Sequence, residues 1–83
     1  MDLVTGGTGF LGRVLVRRLL EQGERVRVVG RHRGRLMALR EAGCEVLLGD
    51  LREPAVAFRA VEGCDRIFHL AGVNRDQPEV IYR

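Results

Sequence analysis

The residues of this chain whose types and spacing could do chemistry begin with glycines, in the run Thr5-Gly6-Gly7-Thr8-Gly9-Phe10-Leu11-Gly12. Leu3, Val4 and Thr5 run into it as a strand, and an amphipathic segment runs out of it. A strand feeding a glycine-rich turn that opens a helix is the context of a dinucleotide-phosphate site. Gly6 can take the backbone angles of the tight turn. Gly9 has no side chain, so a pyrophosphate can approach the main chain. Gly12 lets the helix lie close on the strand. The N–H groups at the helix start, around Phe10, Leu11 and Gly12, have no partner within the helix and face the phosphates at the positive end of its dipole. The glycines fit two patterns, Gly6-x-x-Gly9-x-x-Gly12 and Gly7-x-Gly9-x-x-Gly12. A strand ending at Thr5 favours the first. The alternative, a glycine-rich turn without a ligand, weakens because two later motifs stand where a nucleotide fold would put them.

The end of the second strand of such a fold meets the adenosine ribose. An acidic residue there binds the 2′-hydroxyl of NAD, and a basic one accommodates the 2′-phosphate of NADP. The chain has Gly30-Arg31-His32-Arg33-Gly34-Arg35 and no carboxylate in that window. Arg31 is the candidate phosphate clamp, with Arg33 or Arg35 as a helper; the bland alternative is a solvated basic loop. Asp50-Leu51 follows the third strand. Its carboxylate can accept from the adenine amino group while Leu51 packs on the ring, or Asp50 can cap the next helix. His69-Leu70-Ala71-Gly72 ends the fourth strand. The small residues after His69 would let the backbone of Leu70, Ala71 and Gly72 run close to the nicotinamide half, whereas His69 itself reads as structural. Together these stretches call for NADP as cofactor, with NAD as the alternative.

These motifs need elements to carry them, and the pattern supplies strand and helix in alternation. Strands are expected at residues 2–5, 25–30, 45–48 and 66–70, with Asp2 at an exposed beginning. Helices are expected at 10–22, 33–42 and 54–61. In the first, Leu11, Val14, Leu15 and Leu19 form the buried stripe; in the second, Leu36 and Leu39 face the sheet, with Met37 beside them. Gly23, Gly43 and Gly63 stop the three helices, and Pro54 stands in a first turn, where it is tolerated. Residues 78–83 read as the start of a fourth helix. Alternation with short turns predicts an α/β, Rossmann-type parallel sheet with right-handed crossovers and strand order 3-2-1-4. The sheet would be incomplete, with the fourth strand leaving an open apolar edge through which chains could self-associate.

Composition narrows the partners. The chain has 83 residues, 46% hydrophobic, enough for one small packed unit. Net charge is +3, and all 14 basic residues are arginine; lysine and serine are absent. The arginines are spread along the chain with no aromatic platform among them, which argues against nucleic acid. No apolar run approaches a membrane span of ~20 residues, and no cleavable leader pattern precedes the glycine loop, so a cytoplasmic location is expected. Cys44 and Cys64 have no metal-ligand spacing and read as core or near-core residues.

Thr-Gly-Gly-Thr-Gly-Phe-Leu-Gly at 5–12, Gly-Asp-Leu at 49–51 and Phe-His-Leu-Ala-Gly at 68–72, in this order and spacing, resemble the extended short-chain dehydrogenase/reductase superfamily. Within it the chain is most similar to the NAD(P)-dependent epimerase/dehydratase family, which includes sugar-nucleotide epimerases and dihydroflavonol-reductase-like members. The resemblance covers nearly the whole chain. It implies a Rossmann-type fold with NAD or NADP along the strand ends, and oxidoreductase or epimerase chemistry run by a Tyr-x-x-x-Lys pair with an upstream Ser or Thr. None of that catalytic set carries over: Tyr82 is the sole tyrosine, and no lysine or serine accompanies it. The resemblance therefore implies that residues 1–83 are the N-terminal part of an NAD(P)-binding domain, with no second domain. They are expected to be inactive alone and to meet a small-molecule substrate only in a full-length form. The competing expectations are a non-catalytic NADP-binding sensor and a truncated remnant without activity.

Overall fold

The computed structural model describes residues 1–70 and, as backbone, 80–82. Four parallel strands, β1 (Asp2–Thr5), β2 (Val26–Gly30), β3 (Glu45–Leu48) and β4 (Arg66–His69), alternate with helices α1 (Phe10–Glu21), α2 (Arg33–Glu41) and α3 (Pro54–Val61). The strand order is β3-β2-β1-β4, as the alternation predicts, and a fifth strand, β5 (Val80–Tyr82), extends it. Thr5 lies level with Val29 and with His69, so β1 and β4 end together and β2 runs one residue further.

β5 corrects two expectations. The segment read as the start of a helix holds a strand antiparallel to β4, with His69 opposite Val80 and Ile67 opposite Tyr82. β-Branched and aromatic residues suit a strand, and the β4 edge offers unpaired backbone groups that local helix propensity cannot answer. The β4 edge expected to be open is therefore covered.

Successive strand residues face opposite sides, and each side builds its own core. On one side Val4, Val26, Val28 and Phe68 pack with Val16 and Leu19 of α1 and Leu36 and Leu39 of α2. On the other, Leu3 and Val29 pack with Ala60 of α3, joined by the partly buried Leu47, Val56 and Ile67. Cys44 and Cys64 join opposite cores, and burial pushes both thiols up from their ordinary pKa. α3 is tied to the sheet by Arg27, whose Nη1 donates to the carbonyls of Arg59 (3.1 Å), Ala60 (2.7 Å) and Glu62 (2.7 Å). A cation at a helix C-terminus satisfies carbonyls that have no partner within the helix.

Three further expectations are overturned. α1 has the expected period but a different phase: Gly12, Val16 and Leu19 are buried, Leu15 is half-buried, and Leu11 and Val14 are 45% and 46% exposed. Gly12 sets that phase. A Cβ there would lie 2.0 Å from the Gly6 carbonyl oxygen and 2.6 Å from the Gly7 Cα, so only a bare backbone fits against the turn. Met37 likewise points outward from α2. Asp2, expected at an exposed strand beginning, is buried; Arg66, its neighbour in register on β4, donates Nε to Oδ1 at 2.9 Å and Nη2 to Oδ2 at 2.6 Å. A buried carboxylate is tolerated when it is paired.

Candidate functional site

At the C-terminal ends of β1, β2 and β3 lies a cleft of about 420 Å³. Its lining includes Gly6 and Thr8 from the glycine turn, Gly30 and Arg31 from the end of β2, and Asp50, Leu51 and Arg52 after β3. The outer ends of parallel strands, where the chain order reverses, are where open α/β sheets place ligands. Here β1 sits between β2 and β4, and the cleft opens beside it.

The glycine turn is built as its spacing suggests, with one addition. Gly6 has φ +77°, the left-handed region that favours glycine, and its carbonyl accepts the Gly9 N–H at 3.1 Å. Gly7 also has a steric reason: a Cβ there would meet Val28 Cγ1 at 2.7 Å. Gly6, Gly7 and Gly12 are therefore each needed by the fold, whichever pattern of glycine spacing is read. Gly9 differs. Its φ is −80°, and a Cβ there would make one ordinary contact, at 3.5 Å with the Gly6 oxygen. Nothing in the described protein demands a glycine at this position. What it leaves open is access to the backbone at the N-cap of α1, which carries no side-chain cap and no acidic residue in its first turn. Phe10 and Leu11, which begin the helix, are both exposed.

Arg31 directly follows β2, extends into solvent and brings Nη1 to 3.8 Å from Asp50 Oδ2. Asp50 does not cap α3, whose N-cap is Glu53. Instead its Oδ1 accepts the Arg52 backbone N–H at 2.9 Å, and its carboxylate takes the Arg52 guanidinium, with Nη2 to Oδ2 at 2.7 Å. Those hydrogen bonds from Arg52 hold the Asp50 carboxyl at about 2, below the usual carboxylate range. Leu51 lies half-buried between the cleft and the α3-side core. The expected adenine contacts thus stand together with Arg31. Arg33 and Arg35 begin α2 and are absent from the cleft lining.

At the far side, His69 Nδ1 and the buried Thr5 Oγ1 are 2.7 Å apart, and the Leu70 N–H donates to the same hydroxyl at 3.1 Å. His69 thereby joins β4 to β1, in keeping with a structural part, while also lining the cleft. Leu70 is buried in the α1-side core. Ala71 and Gly72 lie outside the described residues. The lining residues missed in the sequence are Thr8, Val29, Gly30, Gly49 and Arg52. For Arg52 a signal existed: an arginine two residues after Asp50 can fold back onto its carboxylate.

The family model described as NAD dependent epimerase/dehydratase family matches residues 3–82. The chain is 41% identical over 68 residues to a 2-alkyl-3-oxoalkanoate reductase of Shewanella oneidensis, a stretch that is 82% of this chain and 17% of that protein. The triphenylmethane reductase of Citrobacter sp., solved in complex with NADP(H), superposes with a TM-score of 0.77 at 27% identity, covering 92% of this chain and 28% of that one. A short-chain dehydrogenase/reductase superfamily protein from Agrobacterium tumefaciens, solved with bound NAD, gives a TM-score of 0.73 at 29% identity, covering 94% and 22%. The chain spans about a fifth of the length of the curated relatives it matches. The glycine turn, the sheet order and the match over residues 3–82 agree, and the chain belongs to the NAD dependent epimerase/dehydratase family.

Proposed function

We propose that the chain binds a nicotinamide dinucleotide across the ends of β1, β2 and β3, with NADP preferred over NAD, as the nucleotide-holding part of a family oxidoreductase or epimerase. The pyrophosphate lies against Gly9 and the first N–H groups of α1, which no side chain caps. This explains a glycine at a position where the fold itself asks for none. Asp50 accepts from the adenine amino group, and Leu51 offers the ring an apolar surface. When bound, the nicotinamide supplies or accepts a hydride; this chain's part is to bind and orient it. No tyrosine–lysine pair can be assembled from a sequence without lysine, so the 83 residues alone are expected to bind without turnover.

The observation that carries the NADP preference is Arg31, at the cleft mouth where a carboxylate would favour NAD. A guanidinium meets a 2′-phosphate with two charge-assisted hydrogen bonds and gains little from a hydroxyl. The start of α2 supports the assignment. Its first turn carries Arg33 and Arg35 and no acid, which opposes the helix dipole and helps only if an anion comes to that end. The test is calorimetric titration of both cofactors into wild type and Arg31→Asp. NADP should bind more tightly by roughly 1–3 kcal/mol, and the substitution should remove or reverse the preference. Equal binding of both cofactors to wild type would reduce Arg31 to a surface arginine.

A further inference from the structure

The Asp50 carboxylate is shared by two guanidiniums of unequal grip. Arg52 holds it closely: Nη2 is 2.7 Å from Oδ2, Nε is 3.2 Å from Oδ1 and 3.1 Å from Oδ2, and the backbone N–H adds 2.9 Å to Oδ1. Arg31 reaches the same Oδ2 only at 3.8 Å, beyond hydrogen-bond range. A carboxylate has about four lone-pair sites, and Arg52 faces most of them. We infer that Arg52 is a positioning residue for cofactor discrimination: by occupying the Asp50 carboxylate, it prevents Arg31 from being captured there and leaves the Arg31 fork available to a 2′-phosphate. This rests on the NADP preference proposed for the cleft.

The competition is between like groups. Without Arg52, Oδ1 and Oδ2 lie open to the nearest remaining cation among the described residues, and Arg31 is that cation. A bidentate Arg31–Asp50 pair would have to break before the phosphate could be held, whereas NAD, which makes no use of Arg31, would bind as before. The effect must be moderate, because Arg31 and Arg52 are 72% and 82% exposed and such pairs are screened by solvent. A point charge cannot substitute for the fork: lysine keeps the charge of Arg52 but cannot bridge both oxygens.

The experiment is titration of NADP and NAD into the purified chain, read as the ratio of the two dissociation constants. Contacts to adenine are common to both cofactors and cancel in that ratio. Arg52→Ala should lower the preference for NADP about two- to fivefold, through weaker NADP binding alone. Arg52→Lys should lower it too, and Arg52→Ala combined with Asp50→Asn should restore it, since nothing is then left to capture Arg31. A wild-type ratio in Arg52→Lys would mean that Arg52 acts by charge only, and failure of the double variant to recover would remove the capture step; either result overturns the inference. If wild type prefers NADP and Arg31→Asp abolishes that, an unchanged ratio in Arg52→Ala sinks the role of Arg52 alone. If wild type has no preference, the cofactor assignment falls, and this inference with it.

Discussion

Both ends of the sheet carry an aspartate clasped by an arginine, and the two clasps are nearly the same in geometry. At the N-terminal ends of the strands Arg66 grips Asp2 at 2.9 and 2.6 Å; at the C-terminal ends Arg52 grips Asp50 at 2.7 to 3.2 Å. Their surroundings differ. The Asp2 side chain is 4% exposed, and the Arg66 guanidinium stacks over Phe68 at 5.5 Å. Asp50 opens onto the cleft, and both of its arginines stand in solvent. Asp2 and Arg66 are 64 positions apart and meet only because β1 pairs with β4. Asp50 and Arg52 are two positions apart, within one turn after β3. A buried pair between distant segments is fixed, since breaking it strands a charge away from water. A local pair in solvent can exchange partners at little cost. Hydrogen-bond distances alone therefore do not separate a structural clasp from one proposed to serve a cofactor site; burial and chain separation distinguish these two.

The strongest way to break the comparison is to destroy the proposed cofactor end outright. Gly12→Ala places a Cβ against the Gly6 carbonyl and the Gly7 Cα, backbone atoms that cannot step aside. It should cost about 3 kcal/mol and abolish cofactor binding, as read by thermal melting and titration. A variant that melts like wild type would mean that α1 can lift from the turn.

A smaller effect sharpens the contrast at the other end. Asp2→Ala leaves Arg66 without its main partner, although Arg66 is a third exposed and can turn to water or to Glu24, 3.7 Å away. A loss of about 2 kcal/mol is expected in urea unfolding, with the NADP-to-NAD ratio unchanged. A shifted ratio would show that the buried clasp reaches the cleft.

The smallest effect belongs to Asp50. Its pKa is lower in the folded chain than in the unfolded one, about 2 against an ordinary 3.8. Whatever stability it adds is therefore complete above the unfolded value and is lost as pH falls from about 4 toward 2. Asp50→Asn should remove that acid-side decline and lower the neutral-pH melt by no more than wild type itself loses between about pH 4 and 2. A large neutral-pH loss would make Asp50 a structural residue like Asp2.

How much of this was legible beforehand follows the same division between local and distant. The glycine turn, the ends of α3, the helix stops at Gly23, Gly43 and Gly63, and the placement of Arg31 and Asp50 at strand ends come from short-range pattern. Each depends on residues within a few positions of one another, and each could be read along the chain. The alternation of strand and helix fixed the parallel order, because crossover handedness leaves few arrangements.

Tertiary structure decided what depends on partners far along the chain. Which side of α1 is buried turned on the Gly12 backbone meeting the Gly6 carbonyl, so Val16 took the place that hydrophobicity offered equally to Leu11 and Val14. Residues 80–82 became a strand because β4 lay beside them with a free edge. Asp2 became a core residue because Arg66 arrives next to it in register. An amino-acid sequence carries propensity and period; the phase of a helix, the fate of an edge and the partner of a charge are set by contacts that exist only once the sheet has closed.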